Sequence, residues 1–159
     1  MSKRDRIVWD EQAEVWKNVR QHLPKLVADY FAQGRDLVNG DGGAPELHSF
    51  RLATKRLRYT LELFRPCYGS GLAVRLANLR ELQQVLGEIN DAGAADRVLR
   101  DVLGAKSPQS ARMAKFLRDR AGVKTAEFRK RWTEVFDAPG QERWWTEYLA
   151  RNSRGPRKF

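Results

Sequence analysis

His48, Arg51, Lys55, Arg58, Tyr59 and Glu62 recur at three- and four-residue intervals. Wound at about 3.6 residues per turn, residues 45–64 therefore place them on one face of a helix. Phe50, Ala53, Leu57, Leu61 and Phe64 fall on another, as a core stripe. Surface helices usually cancel charge by mixing Glu and Lys at i, i+4. Here Arg51, Lys55, Arg56 and Arg58 stand within two turns with no acid among them. Such a cluster repels itself until an anion relieves it, so the chemistry on offer is anion recognition.

Composition points the same way. The 159 residues carry a net charge of +10, and arginine outnumbers lysine 21 to 9. Arginine presents a planar fork of donors suited to phosphate oxygens, whereas lysine is a point charge. Cys67 is the single cysteine, which excludes an intrachain disulfide and a cysteine-based metal site. A reducing cytoplasm is the expected compartment. No apolar run approaches the roughly 20 residues of a membrane span, and no secretory h-region follows the first residues.

The elements that must hold this face are read from helical periodicity. Residues 9–38 predict a long amphipathic helix with Trp9, Trp16, Leu23, Val27 and Phe31 on its apolar side and Pro24 in its interior. Arg20 falls on that apolar side, where it either snorkels to the rim or serves as an interior ligand. The Asn39-Gly-Asp-Gly-Gly-Ala-Pro45 stretch is a loop by its turn chemistry, without the Lys-Ser/Thr of a nucleotide-cradling loop. After the basic helix, residues 72–90 predict a third helix, whose Gly87 allows a close crossing or lets a side chain through. Asn90-Asp91 predicts a junction before a short helix at 94–103. Asp91 there either caps that helix or braces an arginine of the cationic face.

Residues 109–136 predict a further helix with a core stripe of Met113, Leu117, Ala121, Phe128, Trp132 and Val135, flanked by Lys115, Arg118 and Arg129. Pro139-Gly140 ends it, and residues 141–151 make the last helix. No segment alternates with period two. The chain reads as all-α, a bundle of about five to six helices in one domain at 9–152. Basic tails at 1–8 and 153–159 carry Lys3, Arg4, Arg6, Arg154, Arg157 and Lys158.

The run His48-Ser-Phe-Arg51-Leu-Ala-Thr-Lys55-Arg56-Leu-Arg58-Tyr59, followed by Leu86-Gly87-Glu-Ile-Asn90-Asp91, resembles the CHAD family, the conserved histidine α-helical domain. The resemblance is strongest over 46–95. It implies a helical bundle with a basic groove or pore that binds inorganic polyphosphate, in some members on polyphosphate granules, and it implies no cofactor. Family members resemble two tandem repeats, each with its own basic helix. This chain shows one, so the resemblance implies a pore completed by a homodimer or by the chain's own helix at 109–136, the dimer being favoured for its isologous symmetry.

On that basis Arg51, Lys55 and Arg58 are the expected phosphate contacts. His48 is a donor whose charge follows pH, and Tyr59 offers its hydroxyl. Arg56 projects sideways, and Arg20, Arg75, Lys115, Arg118 and Arg129 form a second tier along the groove. RNA or DNA binding is the alternative, since any polyanion is drawn to this charge. Nucleic-acid grooves, however, interleave aromatics for stacking, and Tyr59 is the one aromatic on the cationic face. A phosphohydrolase would need clustered carboxylates for Mg²⁺, and the basic helix supplies only Glu62. The chain is therefore read as a binding protein without catalysis.

Overall fold

A helix end leaves backbone groups that a turn, a cap or solvent must satisfy. The computed structural model describes residues 7–104 and 106–155. Within them lie five α-helices and no strand: α1 (Val15–Asn39), α2 (Ala44–Leu63), α3 (Ala73–Leu103), α4 (Pro108–Arg131) and α5 (Gln141–Arg151). The fold is an all-α bundle. Among the described residues no helix is long and apolar enough to cross a membrane. Lys3, Arg4, Arg6, Arg157 and Lys158 lie outside the described residues.

The periodic pattern that begins at Trp9 merges two things, because α1 itself begins only at Val15. The buried Asn18 explains the difference. It accepts from the Asp10 amide at 2.9 Å and donates to the carbonyls of Asp10 and Ala13, so its side chain ties down a turn ahead of the helix. Trp9 belongs to that lead-in and packs on His22 and Phe64. Further along, Pro24 stays inside α1 despite a cost of about 3 kcal/mol for an interior proline. Leu23 and Val27 beside it are fully buried, and their packing offsets that cost.

In α2, the Gly43 amide donates to Glu46 Oε2 at 2.8 Å, and Pro45 occupies the first turn, where its missing N–H costs nothing. Phe50, Thr54, Leu57 and Leu61 are buried. Thr54 is tolerated there because its hydroxyl pairs with Tyr30 Oη at 2.8 Å and donates to the Phe50 carbonyl. Two 3₁₀ turns, Arg65–Cys67 and Gly69–Leu72, lead into α3.

The expected break at Asn90-Asp91 does not occur: α3 is continuous to Leu103, and no separate short helix exists. Ile89 and Ala92 are both buried, so the apolar stripe carries the helix through. Asp91 is an exposed mid-helix residue and caps nothing. Gly87 makes no close crossing either, since a Cβ built there would meet nothing within 4 Å.

Ser107 caps α4, which passes into a single π turn at Trp132–Phe136. The wider turn lets Trp132 and Phe136, four residues apart, both bury completely enough to stack at 5.1 Å. They join Tyr30, Phe31, Phe50 and Phe128 in an aromatic core. Gly34 admits the Trp132 ring, which would overlap a Cβ at that position. The expected α4 core stripe is only half real. Met113 and Val135 are exposed, and the buried residues of the helix and its π turn are Ser110, Ala114, Phe128, Trp132 and Phe136. The first half of α4 lies beside α3 beyond the end of the core.

Arg35 clamps this arrangement with a bidentate pair to Asp137, at 2.9 and 2.6 Å. The α5 helix is anchored by Tyr68, whose hydroxyl donates to the Leu149 carbonyl, and by Tyr148, whose hydroxyl donates to the Tyr68 carbonyl. Beyond α5, Ser153 is buried and the Arg154 amide donates to the Cys67 carbonyl at 2.8 Å.

Candidate anion-binding site

Helices α2 and α3 run antiparallel and are joined by three polar rungs. His48 Nδ1 donates to Asn90 Oδ1 at 2.8 Å, Arg58 Nε donates to Gln83 Oε1 at 2.7 Å, and Arg80 donates from Nε and Nη2 to Glu62 Oε1 at 3.1 and 2.9 Å. As numbers rise on α2 they fall on α3, so Arg51 and Lys55 stand between the first two rungs, level with the α3 segment around Gly87. With no side chain at Gly87 and open space where one would be, the groove has a gap opposite the two cations.

Arg51 is half-buried, and its Nε is shielded from solvent with no hydrogen-bond partner. An unbonded guanidinium donor in that position is costly until an acceptor arrives. Lys55 is half-buried beside it and Arg56 is exposed. Arg58 is positioned by Gln83, by Glu62 at 3.2 Å and by the Tyr59 ring 4.6 Å below its guanidinium. His48 also lines a cavity of about 410 Å³ with Asn90, Gly93, Arg97 and the first turn of α2.

The carboxylates are sorted away from this groove. On the opposite flank of α3, Glu81 pairs with Arg131 and Glu88 with Lys124, both on α4. Lys124 is held further into its charged range by hydrogen bonds from its ammonium to Glu88 and Glu127. On the α2 side Glu46 is taken up by the Gly43 amide at the helix start, and Glu62 is shared between Arg58 and Arg80. Among the described residues no three His, Cys, Asp or Glu side chains gather in a way that could hold a metal ion.

His48, Arg51, Lys55, Arg58 and Tyr59 thus share one groove, with Arg56 at its edge. The second tier goes elsewhere. Arg20 donates to the Ser153 hydroxyl at 3.1 Å and its carbonyl at 2.7 Å, so it holds the chain after α5. Arg75 lies 3.0 Å over the Trp144 ring, where burial lowers its pKa. Arg129 donates to the Val38 carbonyl at the end of α1. Lys115 and Arg118 are exposed on the first half of α4, past the level of the rungs. Arg80, Gln83 and Arg97 complete the groove without having been expected there, and Asn90 joins it where a junction between helices was expected. Their signal is the i, i+3, i+7, i+10 repeat of Arg80, Gln83, Gly87 and Asn90, a polar stripe beside the leucines of α3.

These features define a class: an all-α bundle with a basic, acid-sorted groove between two antiparallel helices. The family model for the CHAD domain matches residues 4–100, more than half of the chain, and the chain belongs to that family. The matched span covers α1, α2 and all three rungs, and it stops inside α3 before Lys115, Arg118 and Arg129. Neither the curated proteins nor the solved structures yielded a match.

Proposed function

We propose that the chain binds inorganic polyphosphate along the α2–α3 groove and performs no chemistry on it. The observation that carries this reading is the unpaired Arg51 Nε beside Lys55, in a groove whose neighbours Glu81 and Glu88 are drawn to α4. Membership in the CHAD family supports it, since that family is associated with polyphosphate binding. A flexible polyanion without bases needs charge and guanidinium forks, and this groove offers both. His48, Arg51, Lys55 and Arg58 are the direct contacts in this reading, with Tyr59 and Arg97 at the margins. Targeting to polyphosphate granules in the cytoplasm is the cellular role that follows.

The test is titration with polyphosphate of the wild type and of an Arg51/Lys55/Arg58 triple alanine variant at two salt concentrations. Log affinity of the wild type should fall with log salt at a slope of about −0.7 per phosphate neutralised, by analogy with single-stranded nucleic acid. The triple variant should lose at least about tenfold, because each charge-assisted bond contributes roughly 1.5–3 kcal/mol. Unchanged binding in the variant would sink the site. RNA of matched charge should compete poorly, because Tyr59 is the one aromatic on this face and Arg58 already lies over its ring.

A further inference from the structure

The ion pairs Glu88–Lys124 and Glu81–Arg131 set the register between α3 and α4. Continued along the hairpin, that register puts Ala95 level with Leu117, Val98 with Ala114 and Val102 with Ser110. In this distal part the buried residues among those described between 93 and 127 are Ser110 and Ala114 alone. Yet it carries Val98 at 61 %, Val102 at 74 %, Phe116 at 58 % and Val123 at 67 % exposure. Val98 and Val102 stand on α3 and Phe116 and Val123 on α4, and exposed apolar groups gathered on one hairpin mark an interaction surface.

The pattern on α4 says what fits there. Arg112, Phe116, Asp119 and Val123 recur at three- and four-residue intervals and so form one stripe. Arg112 and Asp119 are both exposed, and neither has an ion-pair partner among the described residues. Arg112 stands four residues before Phe116 and Asp119 three after it. If a second α4 runs antiparallel across the first with Phe116 at the crossing, Arg112 of each copy meets Asp119 of the other. The stripe is complementary to itself under a two-fold axis, which is the defining property of an isologous interface.

We propose that the distal α3–α4 hairpin docks a second copy of this chain, antiparallel about Phe116, with two Arg112–Asp119 pairs flanking the crossing. Apolar residues at the centre and charge pairs at the rim match the anatomy of protein interfaces. The rungs that carry α2 stand on the flank of α3 opposite the Glu81 and Glu88 pairs to α4, so a dimer through the exposed stripe of α4 leaves the α2–α3 groove open. It differs from a dimer that meets through the basic faces, and it does not depend on the polyphosphate reading.

Sedimentation of the full chain, in buffer free of polyanions, tests it. The wild type should sediment as a dimer at micromolar concentrations. Phe116→Glu should weaken dimerisation by about 30-fold or more, the loss expected of a central anchor of ~2 kcal/mol. Arg112→Asp and Asp119→Arg should each weaken it, and the double exchange in one chain should restore it, because both pairs are then re-formed with reversed sign. Circular dichroism of each variant shows whether it has kept its helices, and the restoring double variant is a control that misfolding cannot imitate. A wild type that stays monomeric, a dimer indifferent to Phe116→Glu, or a double exchange that fails to restore would each overturn the proposal.

Discussion

His48 and Asn90 close the α2–α3 groove at one end, with Nδ1 of the imidazole donating to the amide oxygen at 2.8 Å. The bond commits Nδ1 as a donor and leaves Nε2 to face a ligand. His48→Ala removes both the rung to Asn90 and the ring edge left for the ligand, so it should weaken polyphosphate binding several-fold in titration. Asn90→Asp places a carboxylate in the groove, and it should weaken binding several-fold with helicity retained in circular dichroism.

Gly87 and Gly34 separate function from packing. Gly87 sits inside α3 with open space at its missing Cβ, so Gly87→Ala should stabilise the protein by about 1 kcal/mol through helix propensity alone, raising Tm by ~2–4 °C. Gly87→Glu should keep the fold and lose polyphosphate binding, because it puts an acid opposite Arg51. Gly34→Ala should do the opposite of the first change. A Cβ there overlaps the Trp132 ring, and a loss of about 3 kcal/mol is expected from overpacking. Thermal melts of the three variants check the stability changes, and polyphosphate titration of Gly87→Glu checks the loss of binding.

Arg20 provides a control for the groove. Its guanidinium is occupied by Ser153, so Arg20→Ala should leave polyphosphate affinity within about twofold, far from the tenfold that 1.4 kcal/mol would bring. The expected effect is on the chain after α5, where limited trypsin digestion should cut at Arg154 sooner than in the wild type. A large affinity loss would return Arg20 to the list of ligand contacts.

Alkaline pH should destabilise the fold through buried phenols. Burial pushes the pKa of Tyr30 and of Tyr68 above the ordinary value of 10.0. In the unfolded chain these groups release protons near that value while the folded chain keeps them neutral. Their contribution is complete below pH 10 and is lost as pH rises further, by up to about 1.4 kcal/mol per pH unit for each phenol. Urea unfolding of the wild type and Tyr30→Phe between pH 9 and 11 should show the shallower slope in the variant. Equal slopes would contradict the assignment.

Helical periodicity is a local property, and what depends on it was legible in the residues themselves. The all-α class, the last helix at 141–151 and the stripe of His48, Arg51, Lys55 and Arg58 needed only spacing. What a helix face meets is a long-range matter, and only the tertiary structure decided it. Asn90 turns to His48 where a break in the helix was expected, because buried Ile89 and Ala92 keep α3 intact. Arg20, Arg75 and Arg129 look like any other basic residue in sequence, and each is committed to a different partner. Met113 has the spacing of a core residue, but α3 and α4 outrun the bundle and leave it in solvent. A hydrophobic pattern says that a face must be covered, and the lengths of the neighbouring helices decide whether this chain covers it.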